Sequence, residues 1–159
     1  MSDNYQWHTK SFATLTTNQL YDIFKLRIDV FVVEQTCYYP DIDEHDKHPE
    51  TLHFFAYVKS NIDDSSTTLA AYLRILPKGT SYKNYISIGR VVVAPTCRGK
   101  KLGHQLLQKA LDACNKHFPK QDIKISAQEH LEKYYQGYGF VRISDMYLED
   151  NIPHISMLK

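Results

Sequence analysis

Apolar and polar positions alternate along this chain in rhythms that change several times, and each change marks an element. Tyr5 to Phe12 mixes aromatic and polar residues at strand-like spacing and predicts a first strand. Thr16 or Thr17 then offers an N-cap ahead of Leu20, Ile23, Phe24, Arg27 and Phe31, which share one helical face, so a helix is expected from about Thr17 to Val33. Leu52 to Lys59 and Thr68 to Leu76 are dense in aromatic and aliphatic residues, and the turn-forming Asn61-Ile-Asp-Asp-Ser-Ser66 between them predicts an antiparallel hairpin. Tyr85 to Ala94 reads as another strand. It contains Gly89, which inside a strand marks a bulge or a close backbone approach, and Pro95 ends it.

From Gly99 onward Leu102, Leu106, Leu107, Ala110, Leu111 and Cys114 recur at helical spacing as far as Pro119. Ile123 to Ala127 then reads as a short strand, Glu129 to Tyr138 as a short helix closed by Gly139, and Val141 to Leu148 with His154 to Leu158 as a terminal strand pair. The expected class is α/β (α+β): strand, helix, three strands, helix, strand, helix, two strands. No repeat or low-complexity run interrupts it. The loops at Asp41 to Glu50, Asn61 to Thr67 and Pro77 to Asn84 are too short to separate domains, so one domain over residues 1–159 is expected.

Composition narrows the function classes. A chain of 159 residues can bury a real core, and its net charge of +1 comes from interspersed residues of both signs. No global field then points to nucleic acid, a membrane surface or a disordered tail, and any phosphate recognition has to be local. Cys37, Cys97 and Cys114 stand far apart without metal-ligand spacing, and their odd number makes a poor disulfide framework, so a reducing cytoplasm and no metal are expected. The opening MSDNYQWHTK has no apolar signal core, and no apolar run is long enough to span a bilayer, which predicts a soluble protein. Several of the twelve tyrosines are expected in the core with a hydrogen-bonding tip.

The densest local chemistry is Thr96-Cys97-Arg98-Gly99-Lys100-Lys101-Leu102-Gly103-His104, between a β-branched run and a helix. A helix N-terminus presents unpartnered amides and partial positive charge, so a glycine-bearing loop running into it suits phosphate; a plain basic turn is the alternative. The segment is no Walker A loop, since no Gly-x-x-x-x-Gly-Lys-Ser/Thr is present, and no dinucleotide fingerprint, since Gly-x-Gly-x-x-Gly and a βαβ setting are missing.

Arg98-Gly99-Lys100-Lys101-Leu102-Gly103 resembles the pyrophosphate loop of the GNAT family of N-acetyltransferases, Arg/Gln-x-x-Gly-x-Gly/Ala, with Lys101 where the middle glycine usually stands. Either Lys101 points outward to the phosphates or the loop approaches them less closely. Gly89-Arg90-Val91-Val92-Val93 resembles the family's bulged strand, whose main chain pairs with the pantetheine arm. Tyr134-Tyr135-Gln136-Gly137-Tyr138-Gly139-Phe140 resembles its aromatic-Tyr-x-x-x-Gly-Phe signature, with Tyr135 at the general-acid position, and Gln128 stands where the family often has a cofactor-contacting Asn. Arg27 to Gln35, Tyr39 to Asp43, Asp46, His53 and Glu149 to His154 resemble the ElaA branch of the family.

The resemblance implies a mixed, mostly antiparallel central sheet with a splayed, bulged strand, flanked by helices. It implies acetyl-CoA as acyl donor, direct transfer to a primary amine, and contacts to the donor from Val91, Val92, Val93, Arg98, Gly99, Lys100, Lys101, Leu102, Gly103, His104, Gln128 and Tyr135. Homodimers are common in the family. Such a transfer needs a neutral amine, a polarised carbonyl and a stabilised thiolate. Amides near Val91 would serve the carbonyl and Tyr135 the sulfur.

For the base, Glu34 is the first candidate because it ends the first helix, with a turn cap or a pair with Arg27 as its alternatives. His53 and His154 are others, as are structural roles for both and a water chain in place of all three. Arg27, Asp43, His53 and His154 are the expected acceptor-side residues. The acidic residues Asp41, Asp43, Glu44, Asp46, Glu149 and Asp150 either draw in a cationic amine or form a solvated loop. Cys97 has a basic helix start beside it but no His-Asp partner pattern, and Cys114 reads as core. A non-catalytic acyl-CoA-binding module of the same fold is the alternative reading. Nucleic-acid binding through Arg98, Lys100 and Lys101 lacks interleaved stacking aromatics.

Overall fold

The computed structural model describes residues 4–60 and 65–159. Residues 61–64 of the expected turn between the hairpin strands lie outside them. Among the described residues, eight strands and three α-helices follow the predicted order closely: β1 (Tyr5–Lys10), α1 (Thr17–Arg27), β2 (Leu52–Lys59), β3 (Thr67–Leu76), β4 (Ser87–Val93), α2 (Leu102–His117), β5 (Lys124–Gln128), α3 (Glu132–Gln136), β6 (Val141–Arg142), β7 (Tyr147–Glu149) and β8 (Ile152–Leu158).

The strands form two sheets. One is an antiparallel meander in the order β1-β2-β3-β4; the other has the order β5-β8-β6, with β7 also paired to β8. A single parallel bridge, Ile86 to Ile123, joins them, with Ile86 N–H donating to Asp122 O at 3.2 Å and Lys124 N–H to Ile86 O at 2.9 Å. Among the described residues no ladder pair joins β4 to β5 beyond this bridge, so the strands start side by side and open into a wedge. The splayed arrangement expected from the sequence is therefore present.

Packing explains why the elements form. Leu102, Leu106, Leu107, Ala110, Leu111 and Cys114 of α2 are all buried, and they pack into one core with Ile23 of α1, Phe55 of β2, Leu73 and Ile75 of β3 and Ile155 of β8. Burying each such aliphatic side chain contributes roughly 1.5–3 kcal/mol, which is what holds α2 against the meander. α1 starts with a reciprocal capping box in which Thr16 Oγ1 accepts from Gln19 N–H and Gln19 Oε1 from Thr16 N–H, at 3.1 and 3.0 Å.

Several boundaries differ from expectation. β1 ends at Lys10, and Phe12 begins a short 3-10 turn. The first helix reaches its expected length, but from Ile28 to Glu34 it is π-wound, with Gln35 N–H reaching Val30 O. π-turns are rare and concentrate near functional sites. The strand expected at Val141 to Leu148 breaks into β6 and β7, because Arg142 Nε turns back to Ser144 O and Ser144 Oγ instead accepts from Ser156 N–H. The short helix after β5 begins as a 3-10 turn, Glu129–Leu131, before α3. No helix among the described residues is long and apolar enough to cross a membrane.

Candidate functional site

The wedge between β4 and β5 is a cleft of about 260 Å³. Ser87 to Val91 form one wall and Ile125 to Gln128 the other, and Tyr135, Tyr82, Glu149 and His154 also face it.

The β4 wall carries a bulge. Tyr72 pairs with Val92 and Arg74 with Gly89, so three steps on β4 oppose two on β3, leaving Arg90 and Val91 as the irregular pair. Gly89 signalled this bulge from the sequence, but the left-handed residue is Arg90, with φ 53°. An arginine holds that strained conformation because its side chain is anchored: Nη2 donates to Asp41 O at 2.9 Å, Nε pairs with Asp41 Oδ1 at 2.9 Å, and the guanidinium lies over the Tyr39 ring. Val91 lines the cleft and has no β3 partner, while Val92 is buried and Val93 half-buried.

At the far end of β4 the basic loop turns into α2. Gly99 has φ 80° and Lys101 φ 58°, and Lys101 is the residue that caps α2. The position therefore demands left-handed backbone, which accounts for glycine as the residue usual there; lysine occupies it at a cost of about 1–2 kcal/mol. Arg98, Gly99, Lys100, Lys101 and His104 are exposed, Gly103 is half-buried, and Leu102 is a core residue that contributes only main chain. The Leu102 and Gly103 amides, in the first turn of α2, have no hydrogen-bond acceptor among the described residues. Two tyrosines tie this loop to α3 and the turn after it: Tyr134 Oη donates to Gly103 O at 2.7 Å, and Tyr138 Oη lies 2.6 Å from His104 Nδ1.

Tyr135 sits beside them, packed edge-on against Tyr134 and Phe140. It is 7% exposed, and burial pushes its phenol up to about 12, so it is protonated at neutral pH. No group among the described residues hydrogen-bonds its hydroxyl, although the residue lines the cleft. Gln128, at the end of β5, lines the same cleft and pairs across the sheet with His154.

Other expectations are corrected. Glu34 does not line the cleft: both its oxygens hold Arg98, at 2.6 and 3.1 Å, and that hydrogen bond keeps its carboxyl below the usual range, which makes it a weak base. The partner is thus Arg98, not Arg27. Arg27 and His53 are wholly buried and reach no acceptor. Arg27 grips Asp41 and Asp46 at 2.9 and 2.7 Å, while His53 donates from Nε2 to Asp46 O and accepts from Tyr72 Oη at Nδ1, since a carbonyl can only accept. Burial lowers the pKa of His53, keeping it neutral. Asp43 chelates Arg74 at 2.6 and 2.8 Å; burial opposes its ionisation, but that bond and the Arg74 and Arg90 charges hold it down at about 2. Asp41, Asp43 and Asp46 are therefore committed to arginines rather than to solvent or an incoming cation, while Glu44 is exposed and pairs with Lys47. The three aspartates neutralise Arg27, Arg74 and Arg90.

Glu149 and Asp150 are different, because both face the cleft. Glu149 is half exposed, with Oε2 3.3 Å from His154 Nε2 and Oε1 accepting from Ser126 Oγ at 3.3 Å, and Ser126 Oγ lies 2.6 Å from Tyr147 Oη. Burial, with added contributions from the Tyr147 and Glu149 charges, pushes Tyr82 on the facing loop up to about 12. Sequence reasoning missed Ser126 and Tyr147, which meet only through the pairing of β5 and β7 with β8, and Tyr82, which reaches the cleft from the loop before β4. Cys97 is buried, and burial pushes the Cys114 thiol up to about 12. No group of three or more His, Cys, Asp or Glu among the described residues is arranged to hold a metal.

Comparison with known proteins agrees with this geometry. The family profile described as an acetyltransferase (GNAT) domain matches residues 42–159. Protein ElaA of Escherichia coli (strain K12) is 38% identical over 154 residues, covering 97% of this chain and 95% of that one. A crystal structure of an acyl-CoA N-acyltransferase from Pseudomonas aeruginosa superposes with a TM-score of 0.89 at 40% identity, covering 98% of this chain and 99% of the other. The crystal structure of Escherichia coli ElaA gives a TM-score of 0.87.

Proposed function

The chain belongs to the GNAT acetyltransferase family, in its ElaA branch, and from that premise we propose that it transfers the acetyl group of acetyl-CoA directly to a primary amine that arrives as a cation. That the fold serves an acyl-CoA-dependent acyltransferase follows from the family; acetyl as the group and a cationic amine as the acceptor are our reading.

The observation that carries it is the meeting, in one cleft, of Val91 without a ladder partner and the Tyr135 hydroxyl without a hydrogen-bond partner. The first stands at the bulge, outside the ladder register, and the second has no partner among the described residues. The Val91 amide suits the thioester oxygen as negative charge develops there, a donor contribution of about 3 kcal/mol to the transition state. Tyr135, protonated at neutral pH, gives its proton to the departing sulfur.

The donor's pyrophosphate suits the Leu102 and Gly103 amides, with Gly99, Lys100 and Lys101 shaping the approach and Arg98, Lys100 and Lys101 supplying positive charge. Val92 and Val93 present main chain to the pantetheine arm, and Gln128 and His104 complete the lining. The acceptor enters from the other end of the wedge, where Glu149 and Asp150 face the cleft without an arginine partner and favour a positive charge. His154 stands at that end; Arg27, His53 and Asp43 do not line the cleft.

Thiol release from acetyl-CoA, measured over a panel of primary amines, tests the proposal. Amine-dependent release is expected from the wild type and a loss of about 100-fold from Tyr135→Phe, with CoA affinity retained. CoA binding without release on any amine would favour a non-catalytic module.

A further inference from the structure

One proton is missing from the hydrogen-bond network at the acceptor end of the cleft. His154 is 8% exposed, and its Nδ1 lies 2.7 Å from the Ile152 carbonyl. A carbonyl can only accept, so Nδ1 carries a proton, and in the neutral ring Nε2 presents a lone pair. Nε2 lies 3.3 Å from Glu149 Oε2, while the other carboxylate oxygen accepts from Ser126 Oγ, which Tyr147 supports from 2.6 Å. With the ring neutral, two acceptors would lie 3.3 Å apart. Their contact becomes favourable only when a proton stands between them.

We propose that Glu149 and His154 together are the proton acceptor that neutralises the incoming ammonium; this rests on the acyl-transfer reading above. Glu149 is the half-exposed member and meets the ammonium, and His154 behind it receives the proton at Nε2, turning the pair into a carboxylate and an imidazolium. The freed amine lone pair then forms the C–N bond as the C–S bond breaks. Of the ammonium's three protons, one stays on the amide, one balances the thiolate by way of Tyr135 and solvent, and one leaves through the pair.

The other ionisable groups around the pair suit this role. Asp150 on the same turn adds negative charge toward an ammonium, Tyr82 and Tyr147 are hydroxyl groups, Lys124 is engaged over the Tyr82 ring at 4.6 Å, and the two arginines that line the cleft, Arg74 and Arg90, are each held by two aspartates. The neighbouring carboxylate on the first helix, Glu34, is spent on Arg98.

Acceptor basicity supplies the test. Glu149→Gln keeps a side chain that donates to His154 Nε2 but cannot share a transferred proton. It is expected to lower kcat/KM about 100-fold for an alkylamine, which is protonated at neutral pH, and less than about threefold for a weakly basic amine such as trifluoroethylamine, which is largely neutral there. His154→Gln is expected to show the same split. Equal loss on both acceptors, or no loss on either, would overturn the proposal. Independently of turnover, the 15N spectrum of His154 is expected to show the neutral ring's proton on Nδ1, and a proton on Nε2 would overturn it as well. A wild type that acetylates no amine at all would overturn the underlying reading and the proposal together, an outcome distinct from an indifferent Glu149→Gln.

Discussion

Two polar regions flank β4, and they are built on opposite principles. In one, Arg27, Arg74 and Arg90 meet Asp41, Asp43 and Asp46 in a cluster where each charge has at least one opposite within 3.4 Å, and only Arg74 Nε is buried without a partner. In the other, the cleft leaves the Tyr135 hydroxyl unpartnered, Val91 outside the ladder and the Glu149 carboxylate 3.3 Å from His154 Nε2. Saturated polar groups hold a shape; groups left unsatisfied are available to a substrate. The two regions touch at Arg74 and at Arg90, which both line the cleft; the Arg90 side chain belongs to the cluster and its strained backbone makes the bulge.

The comparison breaks most severely on the closed side. Asp46→Ala removes a carboxylate that buried Arg27 and Arg74 share, leaving the remaining two aspartates to three arginines, and is expected to cost about 3–5 kcal/mol of stability, read as a fall in the urea midpoint. On the open side Tyr135→Phe should cost about 2.7 kcal/mol of transition-state stabilisation, a 100-fold fall in kcat, while leaving the urea midpoint nearly unmoved because the hydroxyl makes no internal bond. A variant that loses both together would erase the distinction.

Acid separates the regions more gently. Asp43 is held at about 2 against an ordinary 3.8, so its stabilisation is fully present above 3.8 and is lost as pH falls toward 2; Asp46, also lowered, adds to the same window. Melting temperature should therefore fall across that acid window and gain nothing from these two groups between pH 5 and 7. The smallest effect is expected at the loop: Lys101→Gly relieves a left-handed lysine and should raise stability by about 1 kcal/mol with kcat within about twofold, checked by paired melting and rate measurements.

How far the sequence reveals each region follows from the same contrast. Elements with local periodicity were legible: the α2 face from Leu102 to Cys114, the β2–β3 hairpin and the Thr16 cap all lie where spacing puts them. The loop from Arg98 to Gly103 and Tyr135 were legible as short motifs. The arginine cluster was not, because its partners lie 14 to 49 positions apart on α1, β3, β4 and a 3-10 turn, so three aspartates in ten residues resemble a solvated loop. Glu34 was misjudged for the same reason, its partner being 64 positions away. Gly89 pointed to the bulge, yet the residue that strains is Arg90, because a long-range ion pair fixes it.

The central claim is that the wedge between β4 and β5 receives the thioester. A crystal structure with a non-transferable acetyl-CoA analogue tests it directly. The account predicts the acyl oxygen at the Val91 amide, the atom replacing sulfur within hydrogen-bond reach of Tyr135 Oη, and the pyrophosphate at the Leu102 and Gly103 amides. An analogue bound outside the wedge, or lying in it with Tyr135 and Val91 untouched, would contradict it.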